Sequence, residues 1–308
     1  MKKQAIQVFL LLFSLAAVSL GLTAITFTPP ETAETFTVTA ATYPMYTAAL
    51  QVAGDIEGVS VQCLTAPTAG CTHDYQLSPA EMAVLSKTDL LVLSGGGAES
   101  FLQTALASLP SLSTVDTSAG IELLCVGEHH EHEHDHDHGE SNEHLWVSAA
   151  RYARQVTNLC NELCRRDSAR AEIYTKNAAR YLSEIHAIEL ALTALTLPTD
   201  KAVLFHDSVA YAADELGLTV LATLPIGEDD GVSVGDLTAA ADAVRGQRVL
   251  LLFDGQYPAD PLSLDTYADT VYTVVWDTAV LPRDGVADKD VWLDAMQRNI
   301  DAIKEAAA

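Results

Sequence analysis

The stretch DSARAEIYTKNAARYLSEIHAIELALTAL, residues 167–195, decides the architecture. Tyr174, Ala178, Tyr181, Ile185, Ile188, Leu192 and Leu195 follow one another at alternating steps of four and three, which draws one unbroken apolar face along an α-helix. Asp167 reads as its N-cap and Pro198 as its stop. At about 1.5 Å per residue the helix would exceed roughly 40 Å, a length suited to joining two lobes. His186 lies off the stripe and reads as a solvated surface residue.

Working outward, the same alternation of strands and helices stands on both sides of this helix. On the N-terminal side the strand runs are TFTVTAATY, VSVQCLT, DLLVLS and STVDTS, and on the C-terminal side AVLF, LTVLAT, RVLLLF and TVYTVVW. Most are followed by a helical segment, and several are apolar without alternation, as parallel strands buried on both faces are. The expected fold class is α/β, with two lobes that each hold a small parallel sheet flanked by helices, joined by one long rigid linking helix. The expected boundaries are an N-terminal lobe over 36–166, the linking helix over 167–195, a C-terminal lobe over 199–286, and a helix over 287–308 that packs back across the lobes.

The 308 residues suffice for such a pair of lobes, and 49% hydrophobic against 19% charged residues indicates an ordered chain. The formal net charge of −25 argues against a nucleic-acid partner and suits a protein that handles cations. Residues 1–30 differ from the rest. Lys2 and Lys3 precede an uncharged run to Pro30, which reads as a signal peptide or an N-terminal membrane anchor. The chain is therefore expected to be exported, to the periplasm or the outer face of the cytoplasmic membrane, touching the membrane only through this segment. Of five cysteines, Cys63 and Cys71 could close a short loop, whereas Cys160 and Cys164, one helical turn apart, read as buried thiols.

Residues 127–144, GEHHEHEHDHDHGESNEH, hold seven of the ten histidines and seven carboxylates, with no apolar residue to bury. The segment reads as a solvated loop that offers His129, His130, His132, His134, His136 and His138 to divalent cations as weak auxiliary ligands. His144 closes it and opens a helix. Three further candidates lie at the carboxyl ends of expected parallel strands, where open α/β sheets bind ligands: His206 after AVLF, Asp254 after RVLLLF and Asp277 after TVYTVVW. His73 lies in the loop after VSVQCLT, and Asp207 is placed to cap the helix that follows His206. Three neutral imidazoles with one carboxylate or water complete a tetrahedral zinc site.

Taken in order, THDYQLSPAEMAVLSKTDLLVLSGGGAESFL, EHLWVSAARYARQV, FHDSVAYAADELGL, FDGQY and VVWDTAV resemble the metal-binding solute-binding proteins of ABC-type zinc and manganese importers, the cluster A-I or cluster 9 group. The resemblance runs from about Phe36 to the C-terminal helix. It implies two α/β lobes around one rigid helix, and first ligands at His73, His144, His206 and Asp277, with Asp207 and Asp254 just behind them. It also implies a monomer that serves an ABC permease and its ATPase and has no catalytic residues. Manganese-type members carry glutamate where this chain has His206, and an imidazole there favours Zn2+ over Mn2+. Thr72 stands where some zinc-type members have glutamate, which leaves Asp277 or water as the fourth ligand.

Two other readings come from the residues. An envelope zinc buffer or adhesin would use the same ligands without a permease. A zinc hydrolase is suggested by the HExxH match at His130–His134, but a metalloprotease needs that motif on a helix with apolar flanks, and this one lies in a charged run.

Overall fold

The computed structural model describes residues 35–65, 75–125, 141–226 and 231–308. The proposed signal or anchor segment, His73, Cys71 and the six auxiliary histidines lie outside the described residues.

Four parallel strands make the first sheet: β1 (Phe36–Ala40), β2 (Val59–Cys63), β3 (Leu90–Leu93) and β4 (Thr114–Asp116), in the order β2-β1-β3-β4. The second sheet repeats the arrangement with β5 (Lys201–Phe205), β6 (Thr219–Thr223), β7 (Arg248–Asp254) and β8 (Thr270–Trp276), in the order β6-β5-β7-β8. The connecting helices are α1 (Tyr43–Ala53), α2 (Pro79–Leu85), α3 (Gln103–Ser108), α6 (Ala210–Glu215) and α7 (Val234–Val244). Between the sheets run α4 (Ala149–Arg166) and α5 (Ala171–Thr193), and α8 (Val291–Ala306) ends the chain. The fold class is the expected one.

Strands β3, β5 and β7 are covered on both faces, which is why they read as continuous apolar runs. In β5, Ala202 and Leu204 join the large central core, while Val203 and Phe205 face a second cluster with Leu251, Phe253 and Val244. In the first sheet, Val38, Leu90 and Val92 face the central core, and Leu91 packs outward with Leu64, Leu85 and Leu102. The central core takes side chains from both sheets and from α4, α5 and α8, so the two lobes share one apolar interior.

The linking helix buries Tyr174, Ala178, Tyr181, Ile185, Ile188 and Leu192, the stripe read from the spacing. Its start differs from the expectation. Asp167 closes α4, residues 168–170 form a 3-10 turn, and the regular helix begins at Ala171. The Asp167 carboxylate accepts from Tyr174 Oη at 2.7 Å and Arg170 Nη1 at 2.8 Å, so it braces the junction of the two helices instead of capping the second. The 23 residues of α5 span about 35 Å. His186 is exposed on its outer face beside Glu189.

Tyr152 of α4 stacks on Trp292 of α8, ring centroids 4.4 Å apart, and meets Tyr181 of α5 edge-on. The C-terminal helix thus sits against the linking pair, and Asn299, two turns beyond Trp292 on the same buried face, holds the backbone of Asp277 through both its N–H and its carbonyl. Among the described residues no helix is long and apolar enough to cross a membrane. The described cysteines are unpaired, with the Cys160 and Cys164 sulfurs 4.0 Å apart.

Candidate metal centre

In a doubly wound sheet the crevice opens where neighbouring strands send their connections to opposite sides. In the second sheet this point lies between β5 and β7, since β6 pairs with the other edge of β5. His206 follows β5 directly and Asp254 ends β7, so both stand at that crevice. His144 arrives from the first half of the chain. Its ring centroid is 5.8 Å from that of His206, with the planes near perpendicular. Both side chains are buried, at 7% and 1% exposure, so neither is a solvated surface histidine. Asp207 completes the cluster: one ligand atom from each of His144, His206 and Asp207 lies within 4.8 Å of the others.

The local backbone explains how these groups are held. His206 has φ 135° and ψ 148°, a region open mainly to glycine. It caps the 3-10 turn Asp207–Val209 with its own ring, Nδ1 accepting from Ser208 N–H at 3.0 Å. The cap is therefore His206, where Asp207 was expected. The same Nδ1 lies 3.1 Å from Asp207 Oδ1. The two contacts are alternatives: with the Ser208 cap made, Nδ1 carries no proton, whereas a ring protonated on Nδ1 gives up the cap, donates to that carboxylate and carries no proton on Nε2, the usual arrangement of a carboxylate behind a ligating histidine. Tyr257 stacks on the His206 ring at 5.1 Å, covering its other face.

Around His144, Asn142 accepts from the His144 backbone N–H at 2.9 Å and lies 3.1 Å from the ring Nδ1. Its Nδ2 donates across to the Asp207 carbonyl at 2.8 Å, and Tyr211 Oη donates to the Asn142 carbonyl at 2.8 Å. Gly96, at φ 68°, passes beneath this segment, and a Cβ there would lie 3.3 Å from Glu143 Cα. Trp146 Nε1 donates to the Thr278 carbonyl at 3.0 Å, and Trp292 Nε1 to the Trp146 carbonyl at 2.8 Å. The segments that carry His144, His206 and Asp277 are thus stitched together from both halves of the chain.

Asp254 is fully buried and acts as a brace. It accepts from Ser208 Oγ at 2.6 Å, Gln256 N–H at 2.8 Å and Thr278 Oγ1 at 3.3 Å, joining the ends of β5, β7 and β8. Asp277 faces elsewhere. Its Oδ1 accepts from Ala279 N–H at 2.8 Å, and its Oδ2 pairs with Arg298 and lies 3.7 Å from Arg283. It borders a pocket of about 420 Å³ lined also by Arg283, Arg298 and Asn299, to which neither histidine contributes. The structure therefore brings His144 and His206 together with Asp207, and in this conformation it does not bring in Asp277.

Sequence reasoning passed over Asn142, Tyr257 and the direct contact of Asp207. A signal for the first was present, because an Asn two residues before a turn residue commonly accepts that residue's N–H. Tyr257 lay within the FDGQY motif.

Comparison with known proteins follows the fold. The chain is 26% identical over 275 residues to the high-affinity zinc uptake system protein ZnuA of Bacillus subtilis (strain 168), covering 86% of this chain and 85% of that protein. It is 25% identical over 248 residues to the iron-binding protein YfeA of Yersinia pestis, covering 78% and 77%. A crystal structure of ZnuA superposes with a TM-score of 0.70 at 21% identity, over 89% of this chain and 99% of that one, which is a likeness of fold. A family model matches residues 38–306, nearly the whole described chain, and by it this protein belongs to the ZnuA family, zinc-uptake complex component A, periplasmic.

Proposed function

We propose that this protein captures Zn2+ outside the cytoplasmic membrane and hands it to an ABC permease and its ATPase, as a binding protein without turnover. The observation that carries the reading is the pair of buried imidazoles, His144 and His206, drawn from the two halves of the chain to within coordinating distance of one carboxylate. Neutral imidazoles suit zinc better than manganese, which prefers oxygen ligands. Family membership and relatives named for zinc uptake support the same cargo.

The ligand set we propose is His73, His144 and His206, with the fourth place taken by Asp277 or water. Asp277 can serve only if it exchanges its Arg298 partner for the cation, and Asp207 is the carboxylate nearest the two imidazoles. The histidine-rich residues 128–138 we assign a separate role as a weaker collector. Six imidazoles and five carboxylates there raise the local cation concentration beside His144.

Metal analysis of the purified full chain, with zinc and manganese in competition, tests the proposal. One zinc should be retained against excess manganese. Preference for manganese would point to an oxygen-rich site and overturn the cargo. Replacing His206 by Ala should abolish tight binding, while His186→Ala, on the outer face of α5, should leave it unchanged. Equal losses in the two variants would overturn the site.

A further inference from the structure

Asn142 is 2% exposed, and the groups around it leave its side chain only one orientation. A backbone carbonyl can only accept, so the amide atom 2.8 Å from the Asp207 carbonyl is the Nδ2 donor. A backbone N–H can only donate, so the atom 2.9 Å from His144 N–H is the Oδ1 acceptor. The other neighbour of Oδ1 is Nδ1 of the His144 ring, at 3.1 Å. Two acceptors would repel, so Nδ1 must carry the proton of the neutral imidazole, and Nε2 must carry none. The backbone of Asn142 is held as firmly, its N–H donating to the Leu124 carbonyl at 2.7 Å and its carbonyl accepting from Tyr211 Oη.

We propose that Asn142 is a positioning residue that keeps the His144 proton on Nδ1, presents Nε2 to the cation, and ties this ring to the His206–Asp207 segment of the other lobe. A neutral histidine side chain free in water favours the opposite tautomer, with the proton on Nε2 and that atom closed to a metal. Without Asn142, binding at Nε2 would first have to move that proton. The inference rests on the reading of His144 as a zinc ligand. It adds that ligation here depends on a group that never touches the ion, and that this group spans the two lobes. The two duties are separable. An aspartate at this position keeps the acceptor for Nδ1 but loses the donor to Asp207, whereas a leucine loses both.

The test is a two-bond 1H–15N correlation spectrum of the metal-free full chain, recorded above the ordinary imidazole pKa of about 6.5. Zinc affinities are measured alongside by competition with a chelator. In the wild type and in N142D the His144 signals should show the proton on Nδ1. In N142L they should show it mainly on Nε2, with zinc affinity lower by roughly 10–100-fold, as for other partners behind a ligating histidine. Should N142L fail to fold, the wild-type spectrum still decides. A wild-type His144 with its proton on Nε2 overturns the proposal, as does an N142L protein that keeps it on Nδ1 or binds zinc undiminished. A His144→Ala protein that binds zinc like the wild type would overturn the ligand assignment and with it the positioning role. That failure is told apart from the others because the wild-type spectrum would still show the His144 proton on Nδ1.

Discussion

His206 holds a backbone conformation, φ 135° and ψ 148°, that costs a non-glycine residue of order 1–3 kcal/mol. Strain of this kind persists only where the surroundings impose it, here the ring cap to Ser208 and the stack on Tyr257. Comparing His206→Gly with His206→Ala isolates it, because both variants lose the ring. We expect the metal-free glycine variant to be the more stable by about 1 kcal/mol in urea denaturation, part of the strain relief being offset by the greater freedom of unfolded glycine. A second residue carries a pH dependence. Burial pushes the Glu99 carboxyl up to about 8 from an ordinary 4.5, against the Ser94 and Gly95 N–H bonds that stabilise its anion, and the Glu143 and Asp116 charges add to the rise. Between those two values the folded protein holds a proton that the unfolded chain releases, so stability falls as pH rises through this window. Glu99→Gln should flatten that fall, read as denaturation midpoints measured between pH 4.5 and 8. His144 and His206 could be found in the sequence because their residue type and their places beside apolar runs are both uncommon. The local contact of Asn142 with the His144 N–H had a signal in the sequence, but its tie to the other lobe did not, since that depends on a carbonyl 65 residues away. The turning of Asp277 toward Arg298 likewise depends on α8 packing against β8.

At the scale of elements, α5 illustrates how much a periodic stripe can determine. Its buried face was readable residue by residue because burial enforces the 4-3 spacing. Its first turn was not, because the stripe begins only at Tyr174 and a polar Asp-Ser pair suits a cap and a 3-10 turn equally. Tyr181 lies at the centre of the face, fully buried, meeting Tyr152 edge-on with the hydroxyls 3.3 Å apart. Tyr181→Ala should cost about 3–5 kcal/mol, the usual range for emptying an aromatic site in a core. Tyr181→Phe, which removes only the long hydroxyl contact, should cost about 1 kcal/mol or less. Chemical denaturation followed by circular dichroism separates the two. A phenylalanine variant as damaged as the alanine one would shift the weight from packing to the hydrogen bond.

For the whole molecule, the shared interior of the two lobes predicts one cooperative unfolding transition, with tryptophan fluorescence and circular dichroism reporting the same midpoint. The architecture was readable from the sequence because eight strand runs stand in two sets of four around one helix, the inner ones buried on both faces of a parallel sheet. What joins the lobes was not, because the Trp146, Asn142 and Tyr211 contacts bring together residues far apart in the chain. Deleting residues 128–138 should leave one tight zinc site in calorimetry and remove the weaker ones. Loss of the tight site instead would make the histidine-rich segment the primary ligand set. The deletion should be tolerated, because an antiparallel bridge between Cys125 and Ser141, with Asn142 N–H bonded to the Leu124 carbonyl, draws the chain together at both ends of the interval. Such a closed neck is also a splice point. Lengthening what lies beyond it costs only loop-closure entropy, about 0.6 kcal/mol for each doubling. A fluorescent reporter whose own termini lie close together could be grafted between these two residues, within a few residues of His144, turning capture of the ion into an optical signal.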